Sequence, residues 1–379
     1  MQLLRYACAF ALLALFLGGC KKTEHPEPGT GSFIDLGFIP AVVSAGADIA
    51  SFQSAIYNKG HVFVATSDGI WKSNLSQKQW SRSGLEGRII TAIYKHPTIE
   101  DRFFAGTRST GKAASKTLYI STDGGTSWQP AAEPVFNSLD NVYEEYACFA
   151  VRPNHPNVVY ANLDGGTMIA VSTDGGMHWV RKNNEPESYF GYNAAIAFLP
   201  GNPDRLFQGA ESPLDIAWLG SYDIDNTDPI KLSELTMVVT ADAWGNRRPN
   251  ELQSYSFAPQ SLYVGQEGAL SKVTNGTVKE IFKSEDSDNT TFPYSYITAI
   301  WVDPANTNHI LFGGSLNHNV QPMSLYETFD EGATIKRFED KLGLENPEVR
   351  EIVATDTFPA IVLNDQNANK VKLVLYKPK

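Results

Sequence analysis

The segments Leu118-Tyr119-Ile120-Ser121-Thr122-Asp123-Gly124-Gly125-Thr126-Ser127-Trp128 and Ile169-Ala170-Val171-Ser172-Thr173-Asp174-Gly175-Gly176-Met177-His178-Trp179 are two copies of one pattern. Each runs an apolar strand into the octet Ser-x-Asp-x-Gly-x-x-Trp, and each part of the octet has a physical task. An aspartate carboxylate accepts the N–H groups that follow it in a tight turn. Glycine takes the positive φ such a turn requires, and a Trp at the far end can fold back into the gap between two sheets. Ser121, Asp123, Gly125 and Trp128, with Ser172, Asp174, Gly176 and Trp179, are therefore expected to build hairpin turns. Two weaker copies keep the spacing. Ser73 to Trp80 has Leu75 where the aspartate would stand, while Thr328 to Ile335 keeps Asp330 and Gly332 but ends in Ile335.

A second cassette precedes each copy. His96-Pro97-Thr98-Ile99-Glu100-Asp101-Arg102-Phe103-Phe104-Ala105-Gly106 parallels Arg152-Pro153-Asn154-His155-Pro156-Asn157-Val158-Val159-Tyr160-Ala161-Asn162, and related stretches return at 199–209 and 303–313. Self-similarity of this kind marks a repeat architecture. Each unit reads as an apolar strand, a Pro/Asn turn, a second strand, a loop and a hairpin, with no long helical period between them. Seven first strands are expected, centred near Ile56, Ile93, Phe149, Ile196, Tyr255, Ile300 and Ile352; the degenerate fourth and fifth units leave six or eight open. The last unit lacks a fourth strand after Val371 to Tyr376. Phe33 to Ile39 is expected to supply it, closing the ring so that no sheet edge stays open. The chain is read as all-β, a single β-propeller of about seven four-stranded blades over residues 33–379.

The octet resembles the Asp-box, or bacterial neuraminidase repeat, of sialidases, sortilin-type receptors, xyloglucanase-type hydrolases and photosystem-assembly-factor-like proteins. The resemblance covers essentially all of residues 33–379. It implies that Asp123, Asp174 and Asp330 are scaffold on the face away from the ligand. It identifies the fold, and the function only weakly, since one fold hosts many functions. Sialidases need three converging Arg, because paired guanidinium forks match a carboxylate, together with a Tyr/Glu nucleophile pair and an Asp acid. The Phe/Tyr-Arg-Ile-Pro element that brings the first Arg is missing here, and Arg102, Arg152 and Arg205 fall in the inter-strand cassette. Xyloglucanase-type enzymes set two catalytic Asp between tandem propellers, and one propeller accounts for this chain.

The N-terminus reads MQLLRYACAFALLALFLGGC. Arg5 precedes an apolar run, Tyr6 to Leu17, that is too short to span a bilayer and fits the core of a cleaved signal. Leu17-Gly18-Gly19-Cys20 resembles a bacterial lipobox, in which the Cys takes a diacylglycerol. Residues 1–19 are read as a lipoprotein signal peptide and 20–32 as the lipidated Cys20 with a Pro- and Gly-containing tether. Lys21 gives no signal for inner-membrane retention, so an outer-membrane lipoprotein is expected, on the cell surface or the periplasmic face. Of three Cys, Cys8 leaves with the signal and Cys20 is acylated. Cys148 stands alone in an apolar run as a packed core residue, so the fold needs no disulfide.

A net charge of −11 without any basic run disfavours nucleic acid as a partner and leaves the lipid anchor as the membrane contact. The expected partner is a glycan or protein ligand held by loops of the face opposite the Asp boxes. There, aromatics beside carboxylates and amides suit sugar faces and hydroxyls: Tyr143, Glu144 and Glu145; Glu187, Tyr189 and Tyr192; Asp242, Trp244 and Arg247; Tyr294 and Tyr296; and His318. The blander reading is that these rings cap the core and the charges are solvated. Catalytic residues are not assignable. A glycoside hydrolase would need two carboxyls, from Glu144, Glu145, Glu187 and Asp242, set about 5–10 Å apart across one pocket, and nothing in their spacing forces that. A structural subunit of an outer-membrane complex is a third reading. No cofactor or metal is expected: His61, His96 and His155 are dispersed, and Asp223 to Asp228 lacks the Gly and bidentate Glu of a calcium loop.

Overall fold

The computed structural model describes residues 28–45, 53–108, 117–132, 146–163, 169–182, 192–211, 217–245, 247–283, 295–316, 325–338, 340–365 and 368–379. They form seven four-stranded antiparallel sheets. The innermost strands of blades 1 to 7 are Ala55–Asn58, Ile90–Lys95, Tyr146–Val151, Tyr192–Leu199, Pro249–Tyr255, Ser295–Val302 and Glu348–Val353. Each touches the innermost strands of both neighbouring blades, which sets the seven around one axis. Six of the expected strand centres fall well inside these segments. The seventh, Tyr255, is the last residue of its strand, because the polar start Pro249-Asn250-Glu251 also pairs into the sheet.

The blades stand side by side because they are apolar on both faces. Third strands such as Leu118–Ser121, Ile169–Ser172 and Leu325–Thr328 are buried at every position, so the side chains pointing to either face must be covered by a neighbouring sheet. Blade 7 is built as the sequence reading expects. Its outermost strand is Ser32–Phe38, antiparallel to Lys370–Lys377, with Phe33 opposite Tyr376 and Ile34 opposite Leu375. A buried carboxylate fastens this closure. Glu327 of blade 6 accepts the Tyr376 hydroxyl at 2.7 and 2.8 Å, lies 2.9 Å from His309 Nε2, and accepts the Gly29 amide of the incoming chain. His309 in turn reaches Asp303 through Nδ1 at 3.1 Å and stacks on Phe329 with ring centroids 4.1 Å apart.

The Asp boxes perform the turn chemistry expected of them. In blade 2, Asp123 Oδ1 accepts the amides of Thr126 (3.1 Å) and Ser127 (2.9 Å), and the Ser121 hydroxyl accepts the Gly125 amide at 2.8 Å. Asp174 with Ser172 in blade 3, and Asp330 with Thr328 in blade 6, repeat the arrangement. The first box glycine, or in blade 6 Glu331, then donates its amide to the turn between the first two strands of its own blade, at Asp101, Asn157 and Asn308. The second glycine seats the turn on the preceding blade. Gly176 has φ +94°, and a Cβ there would meet Phe104 at 2.1 Å. Trp179 packs edge-on against that same Phe104, and Trp128 donates its indole N–H to Ser83 of blade 1 at 3.0 Å. In the weak copy, Asn74 replaces the missing aspartate from one position earlier, accepting the amides of Ser76 and Gln77.

Asp123→Ala removes the acceptor for two amides and two hydroxyls. Because the amides are solvent-facing, the expected loss is about 1–2 kcal/mol, at the lower end for an unmade hydrogen bond, or about 2 °C in Tm for a domain of this size. Ser127 first, then the turn amides, holds this carboxyl down to about 2. Its stabilisation is thus present above about pH 4 and disappears as pH falls toward 2. Calorimetric melts of parent and variant between pH 2 and 7 should converge at the acid end.

Candidate functional site

An innermost strand has one edge with no strand beside it, so its peptide groups must find partners across the axis. Residues 53 and 54 supply several. Gln53 sits in the left-handed region with φ +50°. Its side chain brackets Phe149 of blade 3, donating to the carbonyl at 2.8 Å and accepting the amide at 2.9 Å. Its own carbonyl accepts Ile93 N–H of blade 2. Ser54 donates its amide to Glu351 at 3.0 Å and its hydroxyl to the Arg350 carbonyl of blade 7. Four blades are thereby braced at one level of the channel.

Toward the Asp-box side of that brace lies a cavity of about 630 Å³. Its walls come from the innermost strands of every blade except the sixth, including Ile56, Ile93, Phe149, Ile196 and Leu252. Its mouth is set by Pro97, Asn154 and Pro200, in turns between first and second strands. Glu351 and Gln53 line the cavity, as does Gln253, whose side-chain amide donates to Glu251 at 2.7 Å. Both glutamates are buried, at 3 % exposure for Glu251 and 6 % for Glu351. Burial pushes Glu351 up to about 8. Burial, then the charge of Glu351, pushes Glu251 well above the usual carboxylate range. Cys148 donates weakly to the Ile196 carbonyl at 3.5 Å, and burial raises its thiol as well; it is the packed core residue expected.

The residues expected on the opposite face are only partly described. Cys20, Tyr143, Glu144, Glu145, Glu187, Tyr189, Tyr294 and His318 lie outside the described residues, and of Tyr192 only the backbone, paired with Glu211, is described. Asp242 is exposed on a helical turn, Ala241–Trp244. Trp244 corrects the sequence reading: it is 4 % exposed and packs in the core with Leu232, Val239 and Leu252, so it offers no open ring for a ligand. Arg247 is buried too, 3.0 Å from Glu280. Tyr296 is half-buried under the Arg248 guanidinium, 5.6 Å from its ring, and Arg248 pairs with Glu267 at 3.1 Å. The face thus brings Tyr296 together with Arg248, from the 242–250 loop expected there, and with Glu267, which sequence reading did not single out.

Arg102, Arg152 and Arg205 are structural. Arg102 donates to the Gly175 carbonyl, Arg152 pairs with Asp204 at 2.5 Å, and Arg205 with Asp223 at 2.7 Å. The oxygens of the Asp223–Asp228 stretch are committed, Asp223 to Arg205, Asn226 to Arg152, Asp225 to Thr227 and Asp228 to the Ile230 amide. Among the described residues no group of three or more His, Cys, Asp or Glu is placed to hold a metal ion. Glu251 and Glu351 were not singled out from sequence. A Glu flanked by Leu252 in one innermost strand and by Ile352 in another was the available signal.

Fold and repeat together define an Asp-box β-propeller. The BNR/Asp-box repeat family matches residues 119–130, the box of blade 2. A GH74 xyloglucanase from Xanthomonas campestris superposes with a TM-score of 0.60 at 16 % identity, over 88 % of this chain and 52 % of that one. The extracellular domain of the one-component system BT4673 from B. thetaiotaomicron gives 0.57 at 13 %, over 90 % and 40 %. YCF48 from Cyanidioschyzon merolae gives 0.54 at 13 %, over 91 % and 98 %. The chain therefore spans about half or less of the first two and nearly all of the third. At these identities the likeness is one of fold. No curated protein sequence is a significant match.

The buried carboxyls make stability depend on pH. Glu351 binds its proton more tightly folded than unfolded, so its contribution is full below about pH 4.5 and is lost as pH rises through about 8. Tm should fall between pH 5 and 8. Glu351→Gln, which mimics the protonated carboxyl, should flatten that slope. An equally steep slope in the variant would place the titration elsewhere.

Proposed function

We propose that this chain is an exported, lipid-anchored propeller that holds a glycan or protein ligand on the loops opposite its Asp boxes, without chemistry of its own. The observation that carries the reading is an asymmetry between the two faces. On the Asp-box side the turns, apart from 224–235 in blade 4, are short and fastened to one another, and the incoming chain is tied down there through Gly29 and Glu327. The two longest connections between strands, 39–54 and 131–145, join successive blades on the other side, as does 284–294. A chain anchored at Cys20 and entering on the Asp-box side would turn those connections away from the membrane. One similar fold is an extracellular domain and another a xyloglucanase, which suits an exported propeller that meets polysaccharide. Tyr143, Glu144, Glu145, Glu187, Tyr189, Tyr192, Asp242, Tyr294, Tyr296 and His318 are the proposed contacts.

Cys20→Ser should move the protein from the membrane fraction to the soluble one. The soluble variant should then bind members of a panel of purified polysaccharides by affinity electrophoresis. Tyr189→Ala should weaken that binding about tenfold or more by removing a stacking surface, while Asp123→Ala leaves it intact. Membrane retention of Cys20→Ser would remove the anchor. Release of reducing sugar that Glu187→Gln abolishes would replace the binding reading with a glycoside hydrolase.

A further inference from the structure

We infer that the axial pocket on the Asp-box side is a second binding site, for a small organic ammonium ion, with Glu351 in its lining, Glu251 buried behind Glu351 and within reach of its charge, and apolar walls around the ligand's carbon chain. The inference is independent of the loop reading, since the pocket opens on the other face. Its volume, about 630 Å³, lies in the range of cavities that enclose small molecules. The floor is built, not incidental. Gln53 is held in a left-handed backbone conformation while its side chain is bonded twice to Phe149. A strained residue fixed by its surroundings is a common mark of a functional site.

The charge balance selects the ligand class. Two buried carboxyls share one low-dielectric channel, which favours their proton-bound forms until a cation arrives. Among the described residues neither has an ion-pair partner; Glu251 accepts the Gln253 amide, and Glu351 is hydrogen-bonded by backbone at Ser54, Ala55 and Ile352. Arg152 also lines the cavity, but its guanidinium is paired with Asp204 and donates to the Pro203 carbonyl, while Arg350 is directed toward Glu348. The other titratable groups at the channel are Tyr94, Tyr255 and Cys148, and burial raises all three, so they stay neutral near pH 7. A bare metal ion would want three or more anionic or imidazole ligands, and no such group is present among the described residues. An ammonium needs fewer. It can donate to a carboxylate and an amide oxygen while its methylenes lie against Ile56, Ile93 and Phe149.

Isothermal titration calorimetry of the purified full-length chain with butylamine, putrescine, 1,4-butanediol and calcium chloride tests this. The amines should bind saturably and the neutral diol should not. Affinity should rise about tenfold from pH 6 to pH 8, with proton release seen by comparing buffers of different ionisation enthalpy, because binding ionises the pair. Glu351→Gln should weaken amine binding at least tenfold with an unchanged circular dichroism spectrum. If that variant does not fold, the pH dependence of the parent and the diol comparison decide. No saturable amine binding at pH 8, equal binding of amine and diol, binding of calcium in place of the amines, or amine binding unchanged in folded Glu351→Gln would each overturn the inference.

Discussion

A sheet that is apolar on both faces cannot stand in water alone, and nearly everything in this molecule follows from that. The third strands of blades 2, 3 and 6 are buried at every position and those of the other blades at most positions, so each blade needs a neighbour on either side. Sheets that twist with a fixed hand and pack face to face arrange themselves around an axis. A ring satisfies every blade when it closes. The Asp boxes serve this requirement directly. The carboxylate shapes the turn, the second glycine lets its backbone lie flush on the previous blade, and the Trp fills the gap between the two sheets.

The same arrangement creates the pocket. Innermost strands converge on the axis but cannot pair there, which leaves peptide edges and space. Gln53 and Ser54 use some of those edges to brace the channel. What remains open is lined mostly by aliphatic and aromatic side chains, with Glu351 among them. A carboxyl buried in such surroundings favours its proton-bound form unless a cation offsets its charge. The two faces of the ring thus differ in kind: one offers the axial recess, the other most of the longer connections between blades.

Much of the architecture was legible because its causes are local. The box at Ser121 to Trp128 specifies its own turn, and the missing fourth strand after Tyr376 points to Phe33 as its replacement. Asn74 shows where local reading slips, since an amide one position early did the work assigned to an absent aspartate. The candidate site was less legible because its causes are long-range. Trp244 reads as a loop aromatic, yet residues from 232 to 252 enclose it. Glu251 and Glu351 stand one hundred positions apart and become neighbours when blades 5 and 7 turn their first strands toward one axis.

The strand Ser32–Phe38 is among the first parts of the domain to be synthesised and among the last to find its place. Its partner, Lys370–Lys377, is at the other end of the chain, so the pairing must wait until every blade between them has emerged. Contacts this distant in sequence are slow to form, and a product cut short before residue 370 would carry most of its blades yet keep two sticky sheet edges. The fold itself thus tests for both closing strands: Glu327, Tyr376 and Gly29 meet only in a molecule that holds residues 29–38 and 370–377 together.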